Sequence, residues 1–89
     1  MSADVKVYTT NFCPYCVRAK RLLDQKGAAY EEISVEGDDA KRRWLAQASG
    51  QRTVPQIFIN GRPVGGFNEL AELDRAGKLD ALLAAAPSG

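Results

Sequence analysis

The sequence predicts an α/β fold, with a four-stranded mixed sheet, helices on both faces and the order β-α-β-α-β-β-α-α. A strand pattern, a helical pattern and a second strand pattern succeed one another over residues 5–35, which is the order of a right-handed parallel βαβ unit. An Asn-Gly dipeptide at 60–61 joins two further β segments. Leucines at helical spacing then occupy residues 70–83, which predicts a helical end to the chain.

Length and composition indicate one small domain covering residues 1–89, with an ordered core over about 4–85 and a tail at 86–89. The chain is 45% apolar and 26% charged, as in a typical globular protein. No apolar run approaches the roughly 18 residues of a membrane span. Asp4 and Lys6 interrupt the segment where a signal peptide would need its apolar stretch. We therefore expect a cytoplasmic protein without membrane contact.

The charged residues and the metal-binding residue types exclude several functions. Twelve Lys and Arg against eleven Asp and Glu give a net charge of +1, so no broad positive field exists to hold a nucleic acid. The chain has no His and only two Cys, which excludes a four-ligand zinc site and Cys-His or Ser-His catalysis. We expect no metal site, and any chemistry has to use sulfur without imidazole.

The first strand and the first helix meet at the two cysteines. Val5, Val7 and Thr9 alternate on one face of a strand, and a turn-rich segment follows. Pro14 suits the first helical position and Gly27 suits a C-terminal cap. Between them, apolar residues recur at helical spacing: Cys16, Ala19, Leu22 and Leu23. The helix therefore begins at the cysteines.

The second strand and the second helix follow. Residues 30–35 favour β structure, with Ile33 and Val35 alternating. Asp38 or Asp39 can cap a helix that ends near 49–50. Three of its apolar residues align at spacings of four: Ala40, Trp44 and Ala48.

A hairpin and one or two closing helices complete the predicted order. Residues 56–64 form an antiparallel hairpin, because Asn60-Gly61 supplies the positive φ angles of a type I′ turn. Gly77 separates the closing helices, which are marked by Leu70, Leu73, Leu79, Leu82 and Leu83.

Both cysteines lie at the start of the first helix, three positions apart. Residues i and i+3 of a helix have Cα atoms about 5 Å apart, within the range of a disulfide. A structural disulfide that closes so short a loop would contribute only about 2 kcal/mol to the free energy of unfolding in the chain-entropy model. A lone Cys-X-X-Cys beside a βαβ pattern in a cytosolic chain instead favours a redox function.

Helix position separates the roles of the two thiols. Cys13 lies at or near the N-cap, where free N–H groups and the helix dipole favour an anion, and Cys16 lies one turn inside. We expect Cys13 to be the exposed thiolate and, as a good leaving sulfur, to turn over mixed disulfides. Pro14 removes one N–H donor, which makes the pair less oxidising. Tyr15 either packs on a substrate or is merely an exposed aromatic.

These residues resemble the glutaredoxins, dithiol members of the thioredoxin-fold superfamily. Three family motifs occur in the expected order: "Y-T-T-N-F-C-P-Y-C" at the end of the first strand, "T-V-P-Q-I-F-I" at 53–59 and "G-G-F-N-E-L" at 65–70. The match runs from about residue 5 to residue 83, and Cys-Pro-Tyr-Cys is specific to this family among thioredoxin-like folds. The resemblance implies a thioredoxin-like fold.

The resemblance also implies roles for individual residues. Cys13 would attack disulfides and carry glutathione, while Cys16 would resolve protein mixed disulfides by forming a bridge with Cys13. Thr53, Val54 and Pro55 form the motif in which the proline is cis and the Val54 backbone pairs with the cysteine part of glutathione. The resemblance further implies that Tyr15 and Gly66 contact glutathione. The helix start near Phe67 and Asn68 would receive its γ-glutamyl carboxylate, and Arg42 would reach its glycine carboxylate.

Two positions depart from the pattern of the family. Thr10 stands where many relatives carry a lysine three residues before the first cysteine, and the charge that could replace it lies on Arg18, Lys20, Arg42 or Arg52. Asn68 and Glu69 stand where relatives often have two aspartates, so the partner of the glutathione amine becomes an amide. These departures concern glutathione affinity more than chemistry.

The leading hypothesis is a monomeric, glutathione-dependent thiol-disulfide oxidoreductase that reduces glutathione mixed disulfides and protein disulfides. Glutathione is its co-substrate, and no cofactor is bound tightly. One alternative is a redoxin that takes electrons from thioredoxin reductase. Another is a carrier of an iron-sulfur cluster shared across a dimer, which Pro14 disfavours. A purely binding module leaves the thiol at the helix start unexplained.

Overall fold

A computed structural model describes residues 2–87. Its strands are β1 (Val5–Thr9), β2 (Glu31–Ser34), β3 (Gln56–Ile59) and β4 (Arg62–Gly65), and its helices are α1 (Pro14–Gln25), α2 (Asp39–Ser49), α3 (Phe67–Arg75) and α4 (Leu79–Ala84). The predicted order of elements is confirmed. Residues 88 and 89 of the predicted tail lie outside the described part. No helix within 2–87 has the length and apolar character needed to cross a membrane.

The sheet is mixed, with the strand order β2-β1-β3-β4. β1 pairs with β2 in parallel and with β3 antiparallel, and β3 pairs antiparallel with β4. Asn60 and Gly61 have φ angles of 53° and 81°, so the turn between β3 and β4 has the positive φ angles of the predicted type I′ hairpin.

Helices cover both faces of the sheet. Successive side chains along each strand point to opposite faces, and apolar side chains on each face pack against the helices there. On one face, the strand residues Val5, Val7, Ile57 and Ile59 pack against three helices through Ala19, Leu23, Leu70, Leu79 and Leu83. On the other face, Tyr8 and Phe58 pack against Val35 and against Leu45 of α2. This two-sided core confirms the predicted fold class.

The side of α2 that faces the core differs in part from the predicted alignment: of the three aligned residues, Ala48 packs against the core and is partly buried. Leu45 is the buried residue of this helix, whereas Ala40 is exposed and Trp44 is 47% exposed. The Trp44 ring lies at the edge of the aromatic face, with its centroid 6.1 Å from that of Phe58. One position along a helix turns the side chain by about 100°, so Leu45 points inward while its neighbour lies half outside.

Candidate active site

Three loops meet at one end of the sheet. The end of β1, the start of β3 and the end of β4 are neighbours, because Tyr8 lies opposite Gln56 and Ile57 lies opposite Gly65. The segments that continue from these ends are 10–13 before α1, 51–55 before β3, and Gly66 before α3. The topology therefore brings the three sequence motifs together.

Cys13 is the N-cap residue of α1, as predicted. Its backbone is extended (φ −108°, ψ 105°), and its Sγ accepts a hydrogen bond from the N–H of Cys16 at 3.2 Å. The Cys13 thiol also donates to the carbonyl oxygen of Val54, 3.8 Å away. The side chain is partly exposed, so its sulfur is oriented by protein groups and still open to a reactant.

Cys16 is its buried counterpart, with only 2% of its surface exposed. Burial raises the pKa of the Cys16 thiol from its ordinary 9.0 to about 12, and the hydrogen bond with Cys13 makes a smaller contribution in the same direction. Both cysteines are free thiols in the structure. Because a thiol attacks only as the thiolate, Cys13 is the sulfur suited to the first attack.

A cleft of about 380 Å³ lies beside Cys13. Seven of the residues predicted to contact a ligand line this cleft, together with Gln51 and Glu69: Tyr15, Thr53, Val54, Pro55, Gly66, Phe67 and Asn68. The Val54–Pro55 peptide is cis, the isomer that the resemblance implies. The Tyr15 and Phe67 rings are neighbours across the cleft, with centroids 6.4 Å apart.

Gly65 and Gly66, at the end of β4, have no Cβ, so their backbone lies close to Glu69 and Pro55. A Cβ on Gly66 would lie 3.3 Å from the carbonyl oxygen of Pro55. Gly65 has a φ of +119°, and a Cβ there would lie 2.6 Å from Oε1 of Glu69. That oxygen accepts the N–H of Gly66 at 2.8 Å, so Glu69 fixes the start of α3.

Arg42 is the one predicted contact residue that does not line the cleft. It borders a separate depression of about 470 Å³ with Arg43 and Arg52, and Arg52 lies in the chain between two cleft residues. Of the other cations predicted to replace the missing lysine charge, Lys20 is bound to Glu32 at 3.0 Å, and Arg18 lies 5.4 Å from the centroid of the Tyr15 ring.

Comparisons with known proteins agree with this geometry. The glutaredoxin family model matches residues 5–64. A glutaredoxin of Pseudomonas aeruginosa is 53% identical over 81 residues, with 91% of this chain and 96% of the relative covered. Glutaredoxin 3 of Escherichia coli K12 is 48% identical over 81 residues, with coverage of 91% and 98%. The chain belongs to the glutaredoxin family.

A solved structure extends the likeness from sequence to fold. The crystal structure of a buckwheat glutaredoxin–glutathione complex superimposes with a TM-score of 0.86 at 43% identity, covering 91% of this chain and 76% of that one. As a glutaredoxin, the chain is a thiol-disulfide oxidoreductase with a thioredoxin-like fold. Cys13 and Cys16 are the only thiols in its sequence with which to carry out this reaction.

Sequence reasoning missed one residue that shapes the glutaredoxin cleft. Gln56 is fully buried, and its Nε2 donates to Oε1 of Gln51 at 2.9 Å and to the carbonyl oxygen of Thr53 at 3.0 Å. Gln56 therefore holds the loop that carries the cis proline. The available signal was Gln56 itself, a polar residue directly before the apolar run "I-F-I" at 57–59, since a polar group that is buried needs hydrogen-bond partners.

Proposed function

We propose that the chain reduces mixed disulfides between glutathione and protein thiols, and protein disulfides, with glutathione as the electron donor. The observation that carries this proposal is the position of Cys13, whose sulfur lies 3.8 Å from the carbonyl oxygen of Val54 on the cleft wall. A glutathionyl group bound in the cleft would present its sulfur beside this thiol.

The cleft offers groups that suit each part of glutathione. The backbone of Val54, on the cleft wall, is suited to pair with the cysteine residue of the tripeptide, as one strand pairs with another. The N–H groups at the start of α3, near Phe67 and Asn68, suit its γ-glutamyl carboxylate. Thr53, Pro55, Gly66 and Tyr15 would enclose the middle of the ligand. The buckwheat relative, whose crystal structure is a complex with glutathione, supports this assignment.

Arg42 and Arg52 supply positive charge next to the cleft. We propose Arg42 for the glycine carboxylate of glutathione, as the family resemblance implies, with the side chain reaching from its own depression. An arginine pairs a carboxylate through two parallel hydrogen bonds, which suits this role.

The reaction proceeds in two balanced exchanges. The Cys13 thiolate attacks the glutathione sulfur of the mixed disulfide, the Cys13–glutathione disulfide forms, and the protein thiolate leaves and takes up a proton. A second glutathione thiolate then attacks that disulfide, which releases oxidised glutathione and restores the Cys13 thiolate. For protein disulfides, the Cys13 thiolate attacks one sulfur, which forms a Cys13–protein mixed disulfide and releases the first protein thiol. Cys16 then loses its proton and attacks Cys13, which releases the second protein thiol and forms the Cys13–Cys16 bridge. Two glutathiones reduce this bridge in two exchanges and leave as oxidised glutathione.

The test is turnover of a glutathione mixed disulfide coupled to glutathione reductase, with thioredoxin reductase as the alternative donor. We expect turnover with glutathione and glutathione reductase. Turnover with thioredoxin reductase but not with glutathione would show that thioredoxin reductase is the electron donor. An absence of colour after anaerobic purification would separate this function from iron-sulfur carriage.

We further propose that the chain works as a monomer in the cytoplasm. Its two free thiols suit a compartment in which glutathione keeps thiols reduced. Sedimentation of the purified chain and fractionation of cells that express it test these two points.

A further inference from the structure

Phe12, the residue before Cys13, combines full exposure with an unusual backbone. Its side chain is 101% exposed, and its φ is +55°. Among residues 2–87, the other non-glycine residue with positive φ is Asn60, a residue type that tolerates this region. A bulky aromatic at positive φ is a true outlier, and outliers of this kind cluster at functional sites.

Three of the exposed large apolar residues lie close to the nucleophile in the chain. Within 2–87, five large apolar side chains are exposed, and three of them are within four positions of Cys13: Phe12, Tyr15 and Val17. Of these three, Tyr15 lines the cleft and Phe12 does not. The segment before Phe12 is held in place, because the N–H of Asn11 donates to Oε1 of Glu36 at 3.0 Å. Phe12 is therefore presented outward by an ordered segment.

Phe12 has no role in packing or in the cleft. Full exposure means that it buries no surface against its own chain, so it adds nothing to the core. It is absent from the cleft lining, where the proposed glutathionyl group would lie. An aromatic residue that serves neither purpose is available to an incoming partner.

The exchange reaction requires a partner on this side. When Cys13 attacks the glutathione sulfur, the sulfur that leaves carries the rest of the substrate. With glutathione in the cleft, that polypeptide extends outside it. Phe12 directly precedes Cys13 and lies outside the cleft lining, so it is available to contact that polypeptide.

We propose that Phe12 is a specificity-determining residue that contacts the polypeptide portion of mixed-disulfide substrates. It would pack against an apolar side chain next to the substrate cysteine. The inference rests on the proposed function, because it names the class of protein substrate that the same site prefers.

The test uses three glutathione mixed disulfides and three variants. Two substrates are short glutathionylated peptides that differ only in the residue after cysteine, leucine or serine, and the third is the mixed disulfide of glutathione with 2-mercaptoethanol. The variants are Phe12→Asn, which suits positive φ, Phe12→Tyr, which keeps the ring, and the control Leu82→Ala, at an exposed leucine of α4.

For Phe12→Asn we expect kcat/KM for the leucine peptide to fall about tenfold, the loss typical of one good apolar contact. The values for the serine peptide and for the small disulfide should stay within about twofold, as should all values for Phe12→Tyr and Leu82→Ala. The melting temperature of Phe12→Asn should equal or exceed that of the parent, since asparagine adopts positive φ more easily.

Three results would overturn this inference while the proposed function stands. They are equal losses on all substrates, no loss on the leucine peptide, or a melting temperature lowered by several degrees. Failure of the unsubstituted chain to turn over even the small disulfide would instead reject the proposed function.

Discussion

The N–H of Cys16 donates to the sulfur of Cys13 across 3.2 Å, which links the two cysteines within one helical turn. The environments of their thiols nevertheless differ. Cys13 is partly exposed and caps the helix, while Cys16 is 2% exposed with a pKa raised to about 12 by burial. Because of this difference, the sulfur of Cys13 makes the first attack, while Cys16 remains a protonated thiol until the second step.

Replacement of each cysteine should separate the two reactions. Cys13→Ser should abolish all turnover, because no other exposed thiol exists in the sequence. Cys16→Ser should keep reduction of glutathione mixed disulfides and lose reduction of protein disulfides, since only the latter needs a resolving thiol. The glutathione reductase-coupled rate on both substrate types measures the split. Full activity in Cys13→Ser would refute the assignment.

The raised pKa of Cys16 predicts unequal alkylation of the two thiols. At pH 8, brief treatment with iodoacetamide should add one carbamidomethyl group, at Cys13, because Cys16 stays protonated and buried. In Cys13→Ser, which removes the contribution of Cys13 but leaves the burial, the alkylation rate of Cys16 should still rise with pH beyond 9.0, where an ordinary thiol levels off. Mass spectrometry gives both results, and the urea-unfolded chain, in which both thiols react, is the control.

Gly65→Ala should destabilise the fold more than a matched glycine substitution. The new Cβ would meet Oε1 of Glu69 at 2.6 Å, so Glu69 would have to move and release the N–H of Gly66. Gly61→Ala is the control, because Gly61 also has positive φ but no atom lies within 4 Å of its Cβ position. We expect Gly65→Ala to cost about 1–3 kcal/mol more in urea unfolding, the usual penalty of overpacking. Equal costs would show that the contact relaxes freely.

Gln56→Leu should weaken glutathione use without stopping the chemistry. The substitution removes the donor that holds Gln51 and Thr53, so the cleft loop loses its fixed position. We expect KM for glutathione to rise about tenfold to thirtyfold, the effect of losing two buried hydrogen bonds of about 1 kcal/mol each, with kcat nearly unchanged. Gln25→Leu, at an exposed glutamine of α1, is the control. A drop in kcat alone would contradict a positioning role for Gln56.

Local rules were sufficient to predict most of the fold. A proline after a cysteine marked the start of α1, and Asn60-Gly61 marked the hairpin, because each residue type restricts its own backbone in a known way. Helix position alone predicted that Cys13 is the more exposed of the two thiols, whereas the resolving role of Cys16 came from the family resemblance. The cleft residues followed from motifs that the topology then brought to one end of the sheet.

The remaining features depend on tertiary contacts that no local pattern contains. The alignment of Trp44 on α2 looked like a core face, but the sheet surface below α2 takes Leu45 instead. Gln56 occupies a position in β3 that would face solvent in a one-sided sheet, but here it is buried and bonded to its own loop. The positive φ of Phe12 arises from the turn between β1 and α1, which its residue type alone would not suggest.

The burial of Cys16 beneath Cys13 also determines the order of events during turnover. Every reactant has to exchange through one accessible sulfur, so two substrates cannot occupy it together. The oxidised substrate must depart as a reduced product before the donor enters. Initial-rate data at several concentrations of both substrates should therefore give parallel double-reciprocal lines, the signature of a ping-pong cycle with a covalent intermediate.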